Sequence, residues 1–287
     1  MYFVEIAYQR IRRKRMRYET LFDGRKIPVL GLGTWNIGGG MTADYSRDKE
    51  CIESIRTAIR MGYTHIDTAQ MYGGGHTEEL VGAAIKPFRR GELFITTKVW
   101  SNNLRYRDVI EKLDESLRKL DTDYVDLYLI HWPNPSIPLK ETFRAFNELV
   151  REGKVRYIGV SNFDIAQLKE AQRLSEVPIA TNQVEYNLLN REPERTGMLE
   201  YCRNEGILIT AYEPLGKGTI LGNPSINKVA EKYGISPAQV AIYWLLQKPG
   251  VITIPKSVNE THLRENLSVL ELTISQEDMK FLDSIAI

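Results

Sequence analysis

Cys51-Ile52-Glu53-Ser54-Ile55-Arg56-Thr57-Ala58-Ile59-Arg60-Met61-Gly62-Tyr63-Thr64-His65-Ile66-Asp67-Thr68 holds a helix, a stop and a strand in one run. Ile52, Ile55 and Ile59 recur at i, i+3 and i+7, which lines them up on one helix face, and Gly62 ends the face. The β-rich piece at 65–68 follows at once.

The same unit repeats outward in both directions. β-rich runs fall at residues 29–34, 65–68, 94–99, 125–131, 157–161, 180–184, 208–212 and 251–255, eight in all, with helix-period segments between them. Asp164 with Gln167, and Ser236-Pro237 with Gln239, are capping-box starts for two of those helices. Successive strand ends lie about 30 residues apart, the length of one strand-plus-helix unit with short loops. Eight such units favour a closed barrel over an open sheet, so the expected class is α/β and the expected fold a (β/α)8 TIM barrel.

Ahead of the first unit, Asp23-Gly24 separates two short alternating runs, Tyr18 to Phe22 and Arg25 to Val29, which predicts a β-hairpin closing the bottom of the barrel. No Pro-, Gly- or Ser-rich linker divides the chain, so residues 16–287 are read as a single domain. Residues 1–15 carry Arg10, Arg12, Arg13, Lys14 and Arg15 and lack the apolar stretch of a secretory signal. They are read as a basic N-terminal extension, either an artefact of gene prediction or cloning or a true basic arm, with Met16 a plausible start.

Composition excludes several classes of partner. The 287 residues balance 38 Lys and Arg against 37 Asp and Glu, which gives no general attraction for nucleic acid or an anionic membrane. Two cysteines, Cys51 and Cys202, fit a reducing compartment and no disulfide framework. The histidines, at 65, 76, 131 and 262, show no ligand spacing, so no metal is expected. The reading is a cytoplasmic monomer whose partner is a small molecule.

Barrel enzymes carry their chemistry at the C-terminal strand ends. Asp67, Lys98 and His131 end the second, third and fourth strands, and Tyr72 follows Asp67 by five residues. Adjacent strands lie about 4.8 Å apart, so the four groups fall within mutual reach. Singly, each has a structural explanation: a capping Asp, a solvated Lys, a satisfied core His. Together they suit carbonyl reduction, in which hydride leaves an alkoxide needing a proton and stabilisation. Lys98 is expected to lower the Tyr72 pKa, Asp67 to hold the ammonium, and His131 to orient the carbonyl oxygen.

These residues sit in longer motifs. Gly62-Tyr63-Thr64-His65-Ile66-Asp67-Thr68-Ala69, then Tyr72-Gly73, Glu78 and Val81-Gly82, resembles the first signature of the aldo-keto reductase family. Thr96-Thr97-Lys98-Val99-Trp100 and Leu129-Ile130-His131-Trp132-Pro133 match the other two members of its catalytic tetrad, and the run from Lys154 to Phe163 is similar to its second signature. The resemblance implies an oxidoreductase that reduces aldehyde and some ketone carbonyls with NADPH, Tyr72 being the general acid.

The same resemblance implies cofactor contacts from Thr34, Trp35, Asp67, Ser161, Asn162 and Gln183, with Tyr212 stacked on the nicotinamide ring. Pro214, Leu215, Gly216 and Lys217 would approach the pyrophosphate, and Ile254, Lys256 and Ser257, in the third signature, the 2′-phosphate. His262, Glu265 and Asn266 fall at the adenosine end. His262 stands where NADPH-preferring members commonly carry Arg, which leaves NADH use open, and Glu213 replaces a small polar residue before the Pro-Leu-Gly run. Trp35, Trp100, His131 and Trp132 would line the substrate pocket, open because the chain ends at Ile287 without a long C-terminal loop.

Two other motifs carry no such meaning. Gly31-Leu32-Gly33-Thr34-Trp35-Asn36 begins like a dinucleotide fingerprint but has Asn36 at its sixth position and no helix start. Gly73-Gly74-Gly75 lacks the Lys-Ser/Thr ending of a phosphate loop. Two alternative functions stand beside reduction: a nucleotide-sensing regulatory subunit of the same fold, and a Schiff-base aldolase using Lys98.

Overall fold

A computed structural model describes residues 16–285; the basic segment 1–15 lies outside the described residues. The chain opens with the expected hairpin, β1 (Tyr18–Thr20) antiparallel to β2 (Lys26–Pro28), turning at Gly24 with a φ of 86°. Phe22 meets Tyr157 edge-on at 5.5 Å, and the Tyr157 hydroxyl donates to Asp23 Oδ2 at 2.7 Å. Tyr157 lies near the start of its strand, so the hairpin sits across the N-terminal end of the barrel.

Eight parallel strands follow in sequential order: β3 (Leu32–Gly33), β4 (His65–Asp67), β5 (Phe94–Val99), β6 (Val125–Ile130), β7 (Val155–Ser161), β8 (Ile179–Glu185), β9 (Leu208–Tyr212) and β10 (Val251–Thr253). The first and last segments close the ring: Gly31 N donates to Thr253 O at 2.8 Å, and Thr253 N to Val29 O at 2.9 Å. The regular part of β3 is shorter than the 29–34 run, and its glycines allow neighbouring segments to approach closely. A Cβ on Gly33 would stand 2.5 Å from Ile254 O, and one on Gly31 2.7 Å from His65 Nδ1.

The outer layer comprises α1 (Asp48–Met61), α2 (His76–Ile85), α3 (Tyr106–Leu120), α4 (Leu139–Arg151), α5 (Ile165–Leu174), α6 (Glu192–Arg195), α7 (Met198–Asn204), α8 (Pro224–Tyr233), α9 (Pro237–Leu245), α10 (Glu260–Ser268) and α11 (Gln276–Asp283). In α1, Ile55, Ala58, Ile59 and Met61 are buried, whereas Ile52 is partly exposed. Each fully buried aliphatic side chain contributes about 1.5–3 kcal/mol relative to its exposed state. Gly62 ends the helix in the left-handed region and gives its N–H to Ala58 and Ile59 carbonyls. Both capping boxes form, at Asp164/Gln167 and at Ser236/Gln239.

Polar groups inside the barrel wall are paired or neutral. His65 is fully buried and its pKa is pushed down to about 4 by desolvation, so it stays neutral, with Nε2 3.1 Å from Thr96 Oγ1. Asp126 Oδ1 accepts from Arg156 at 2.8 Å, while its Oδ2 meets Arg90 at 2.8 Å and accepts from the Ile95 amide at 2.9 Å.

Candidate active site

The four groups expected at one rim are brought together there. Parallel register sets Asp67 beside Thr96 and Lys98 beside Leu129, so side chains from β4 and β5 emerge side by side. Lys98, with no solvent exposure, extends its ammonium to Asp67 Oδ1 at 2.5 Å, Thr68 O at 2.9 Å and the Tyr72 hydroxyl at 3.2 Å. Three acceptors saturate its three donors. Burial acts against the charge, but Asp67 and Tyr72 outweigh it, and the Lys98 pKa lies above its ordinary value.

Tyr72 departs from expectation in one respect. Lys98 does pull its pKa down, but desolvation is larger and Asp67 adds to it, so the net shift is upward. The phenol is therefore neutral and carries its proton at physiological pH. Its ring packs edge-on between Trp35, at 5.0 Å, and His131, at 5.6 Å.

His131, just beyond β6, is also neutral: burial and then the Lys98 charge push its pKa down to about 2. Its Nδ1 is buried with no hydrogen-bond partner among the described residues, where a bare lone pair is better tolerated than an orphaned N–H. The favoured tautomer thus carries its proton on Nε2. Trp100 stands against the imidazole edge at 5.2 Å, completing a row Trp35, Tyr72, His131, Trp100. Trp35 and Trp132 remain 41% and 43% exposed.

The next strand ends continue the rim. Gln183 Nε2 donates to Asp67 Oδ2 at 2.8 Å, which occupies the second oxygen of that carboxylate. Ser161 donates to the Gln183 carbonyl at 2.8 Å. Asn162, left-handed at a φ of 62°, donates to Ser161 Oγ at 3.0 Å and to His131 O at 3.2 Å, and accepts from the Tyr212 hydroxyl at 2.9 Å. Thr34 is buried, its hydroxyl given to Asp67 O at 2.9 Å. A cavity of about 610 Å³ adjoins Asn162 on the α5 side, away from Tyr72.

Beyond Tyr212 the loop is unusual. Glu213 and Lys217, both non-glycine, take left-handed φ values of 50° and 54°, and their side chains pair at 3.5 Å. Pro214 is buried and Gly216 takes a φ of 53°. At the far edge Ile254 is buried, Lys256 is exposed, and Ser257 bonds to Asn259, which caps α10 by accepting from His262 N at 3.2 Å. His262 is exposed and Glu265 half-buried, whereas Asn266 is buried. Among the described residues no group of three or more His, Cys, Asp or Glu side chains is arranged to hold a metal ion, and no helix is long and apolar enough to cross a membrane.

One residue was not singled out in the sequence. Gln70 Oε1 accepts from Trp100 N at 3.2 Å and Asn103 Nδ2 at 3.4 Å, tying the loop that carries Tyr72 to the loop that carries Trp100. Its place between Asp67 and Tyr72 was the available signal.

With this geometry established, comparison with known proteins is decisive. The sequence profile of the Aldo/keto reductase family matches residues 29–287. The chain belongs to the aldo/keto reductase family. It is therefore an NAD(P)H-dependent oxidoreductase of the carbonyl-reducing type. This aldo/keto reductase is 40% identical over 267 residues to the glyoxal reductase of Bacillus subtilis (strain 168), covering 92% of this chain and 91% of that protein. A thermostable aldo-keto reductase crystallised with the inhibitor epalrestat matches at a TM-score of 0.92 and 53% identity, covering 94% of this chain and 100% of that one. An aldo-keto reductase from Klebsiella pneumoniae in complex with NADPH matches at a TM-score of 0.86 and 33% identity, over 93% of this chain and 94% of that one.

Proposed function

We propose that the enzyme reduces small aldehydes, reactive dicarbonyls among them, with NADPH, and that Tyr72 donates the proton. The observation that carries this reading is the convergence on Tyr72: a neutral phenol, bonded to a buried ammonium at 3.2 Å, beside an imidazole that can donate but cannot protonate. The nicotinamide cofactor, when bound, supplies the hydride.

The chain's own residues do the rest. His131 Nε2–H and the Tyr72 hydroxyl converge on the carbonyl oxygen and fix it. As negative charge builds on that oxygen, the Tyr72 proton moves to it, and the phenolate left behind is stabilised by Lys98. Asp67 keeps Lys98 charged throughout, and Gln183 keeps Asp67 in place. The residues fit a nicotinamide: Gln183 has committed its amide nitrogen, so its oxygen remains to accept from a carboxamide, and Tyr212 offers a ring braced through Asn162. Lys256 and the N-terminal amides of α10 suit a 2′-phosphate, which favours NADPH over NADH.

Several features support aldehydes as substrates. An exposed indole, Trp35, packs directly against Tyr72, and the relative with 40% identity is a glyoxal reductase. The Schiff-base alternative is disfavoured because Lys98 is held as an ammonium by three acceptors. The test is NADPH consumption with methylglyoxal, glyceraldehyde and an aromatic aldehyde, repeated with NADH. Turnover of none of the three removes the reading, and equal kcat/KM with both cofactors removes the assignment of NADPH.

A further inference from the structure

Two glycine triplets, Gly38-Gly39-Gly40 and Gly73-Gly74-Gly75, interlock beside the mouth. Gly73 N donates to Gly40 O at 2.6 Å, and a Cβ on Gly73 would stand 2.8 Å from Gly38 O. Gly38, at a φ of 74°, lies against His76, whose Cδ2 would be 3.1 Å from an added Cβ. Thr77 Oγ1 donates to Ile37 O at 2.7 Å. These contacts join the loop that begins at Trp35 to the turn that begins at Tyr72.

His76 lies at this joint, 6% exposed. Its Nε2 is 2.8 Å from Asp48 Oδ1, at the start of α1 where the Trp35 loop ends. Its Nδ1 is 2.9 Å from Glu79 Oε2 in α2, and Tyr45 of the loop leans over the ring at 4.2 Å. A neutral imidazole has one N–H, so both carboxylates are satisfied only by the imidazolium.

The surrounding charges favour that state. From the loop and α1 come the Asp44 and Asp48 carboxylates, the Tyr45 phenol, and Arg47, which is paired with Glu50 at 2.6 Å. From α2 come Glu79 and the buried Glu78; from α3, Lys119 crosses Gly75, and Arg118 and Glu115 share a pocket with Glu79. Burial opposes protonation, but the hydrogen bonds to Glu79 and Asp48 outweigh it, and the pKa is raised. The clamp's contribution is complete below the ordinary imidazole value and is lost as pH climbs through the raised one.

We propose that His76 is a positioning residue: by bridging Asp48 and Glu79 in its imidazolium form, it holds the Trp35 loop against the Tyr72 turn and so sets the wall of the carbonyl pocket. The proposal rests on the carbonyl-reductase reading for its effect on turnover. Glu79 shares α2 with His76 and fixes the ring, so the Asp48 bond is the one that crosses to the loop; losing it frees the loop at that end, which weakens the hold on a bulky aldehyde and leaves the chemical step alone.

The test compares wild type, His76→Gln and Asp48→Asn in the NADP⁺-saturated protein. It follows the His76 ring and the Trp35 indole by NMR against pH, with KM and kcat for an aromatic aldehyde alongside. In wild type, KM rises about fivefold above the His76 midpoint, the scale of one lost hydrogen bond, while kcat holds and the Trp35 signal shifts with the same midpoint. Asp48→Asn moves both midpoints to lower pH, and His76→Gln abolishes both steps. A KM step that persists in His76→Gln, or a Trp35 signal indifferent to the His76 titration, overturns the proposal. Should no aldehyde be turned over, the functional reading fails, and the NMR comparison alone still decides the clamp.

Discussion

Asp67→Asn puts the buried charge pair to a quantitative test. Lys98 has no solvent exposure and meets Asp67 Oδ1 at 2.5 Å; the neutral substitution removes its counter-charge and leaves it only uncharged acceptors, the Thr68 carbonyl and the Tyr72 hydroxyl among them. Breaking a buried pair from one side costs about 3–5 kcal/mol. At about 2–4 °C per kcal/mol for a chain of this class, Tm falls by roughly 6–20 °C at neutral pH. The pH dependence carries the sharper signal. In wild type the Lys98 pKa is raised, so its contribution is present below the unfolded lysine value and is lost as pH climbs through the folded one. In the variant burial acts without its counterweight and depresses the pKa, so the deficit shrinks as pH rises from about 7 toward 10. Circular dichroism melts of both proteins at one scan rate across that range measure it. A Tm within about 1 °C of wild type at every pH, or a deficit that widens with pH, refutes the reasoning.

Three further outcomes follow from the geometry. Lys256→Ala weakens NADPH binding about fivefold and leaves NADH binding unchanged, read by fluorescence titration with each cofactor. Gly33→Ala drives a methyl group into the Ile254 carbonyl, 2.5 Å from the added Cβ, and destabilises the barrel seam by about 1–3 kcal/mol in urea unfolding. Because the Tyr72 pKa is raised, kcat for reduction stays within about twofold from pH 6 to 9, whereas alcohol oxidation, which needs the phenolate as base, speeds up over that range in initial-rate assays.

Much of the fold was legible because each element advertises itself locally. The Ile52, Ile55, Ile59 stripe, the Gly62 stop and both capping boxes act over four to eight residues, the range a pattern can reach. The rim followed from topology, since parallel strands in sequential order bring Asp67, Lys98 and His131 to one end. What escaped the sequence depends on contacts distant in the chain. The close approach of His65 to Gly31 and of Ile254 to Gly33 is one such contact, which the glycines themselves do not announce. The downward pull of Lys98 on Tyr72 is legible because charge can be seen in a sequence, whereas the larger upward push of desolvation is not. Gly73-Gly74-Gly75 reads only as a failed phosphate loop and Gly38-Gly39-Gly40 carries no motif of its own; their interlocking is what gives the two triplets a role. Gln70 carries only its place between Asp67 and Tyr72 as a signal, and what a lone amide does there depends on partners distant in the chain.

Tyr72→Phe is the most direct measurement of the central claim. The variant keeps the ring between Trp35 and His131 and loses only the hydroxyl that meets Lys98 at 3.2 Å. With NADPH and methylglyoxal, kcat falls at least about a hundredfold while NADPH binding is unchanged. A variant that reduces the aldehyde as fast as wild type contradicts the account, because the proton must then come from another group.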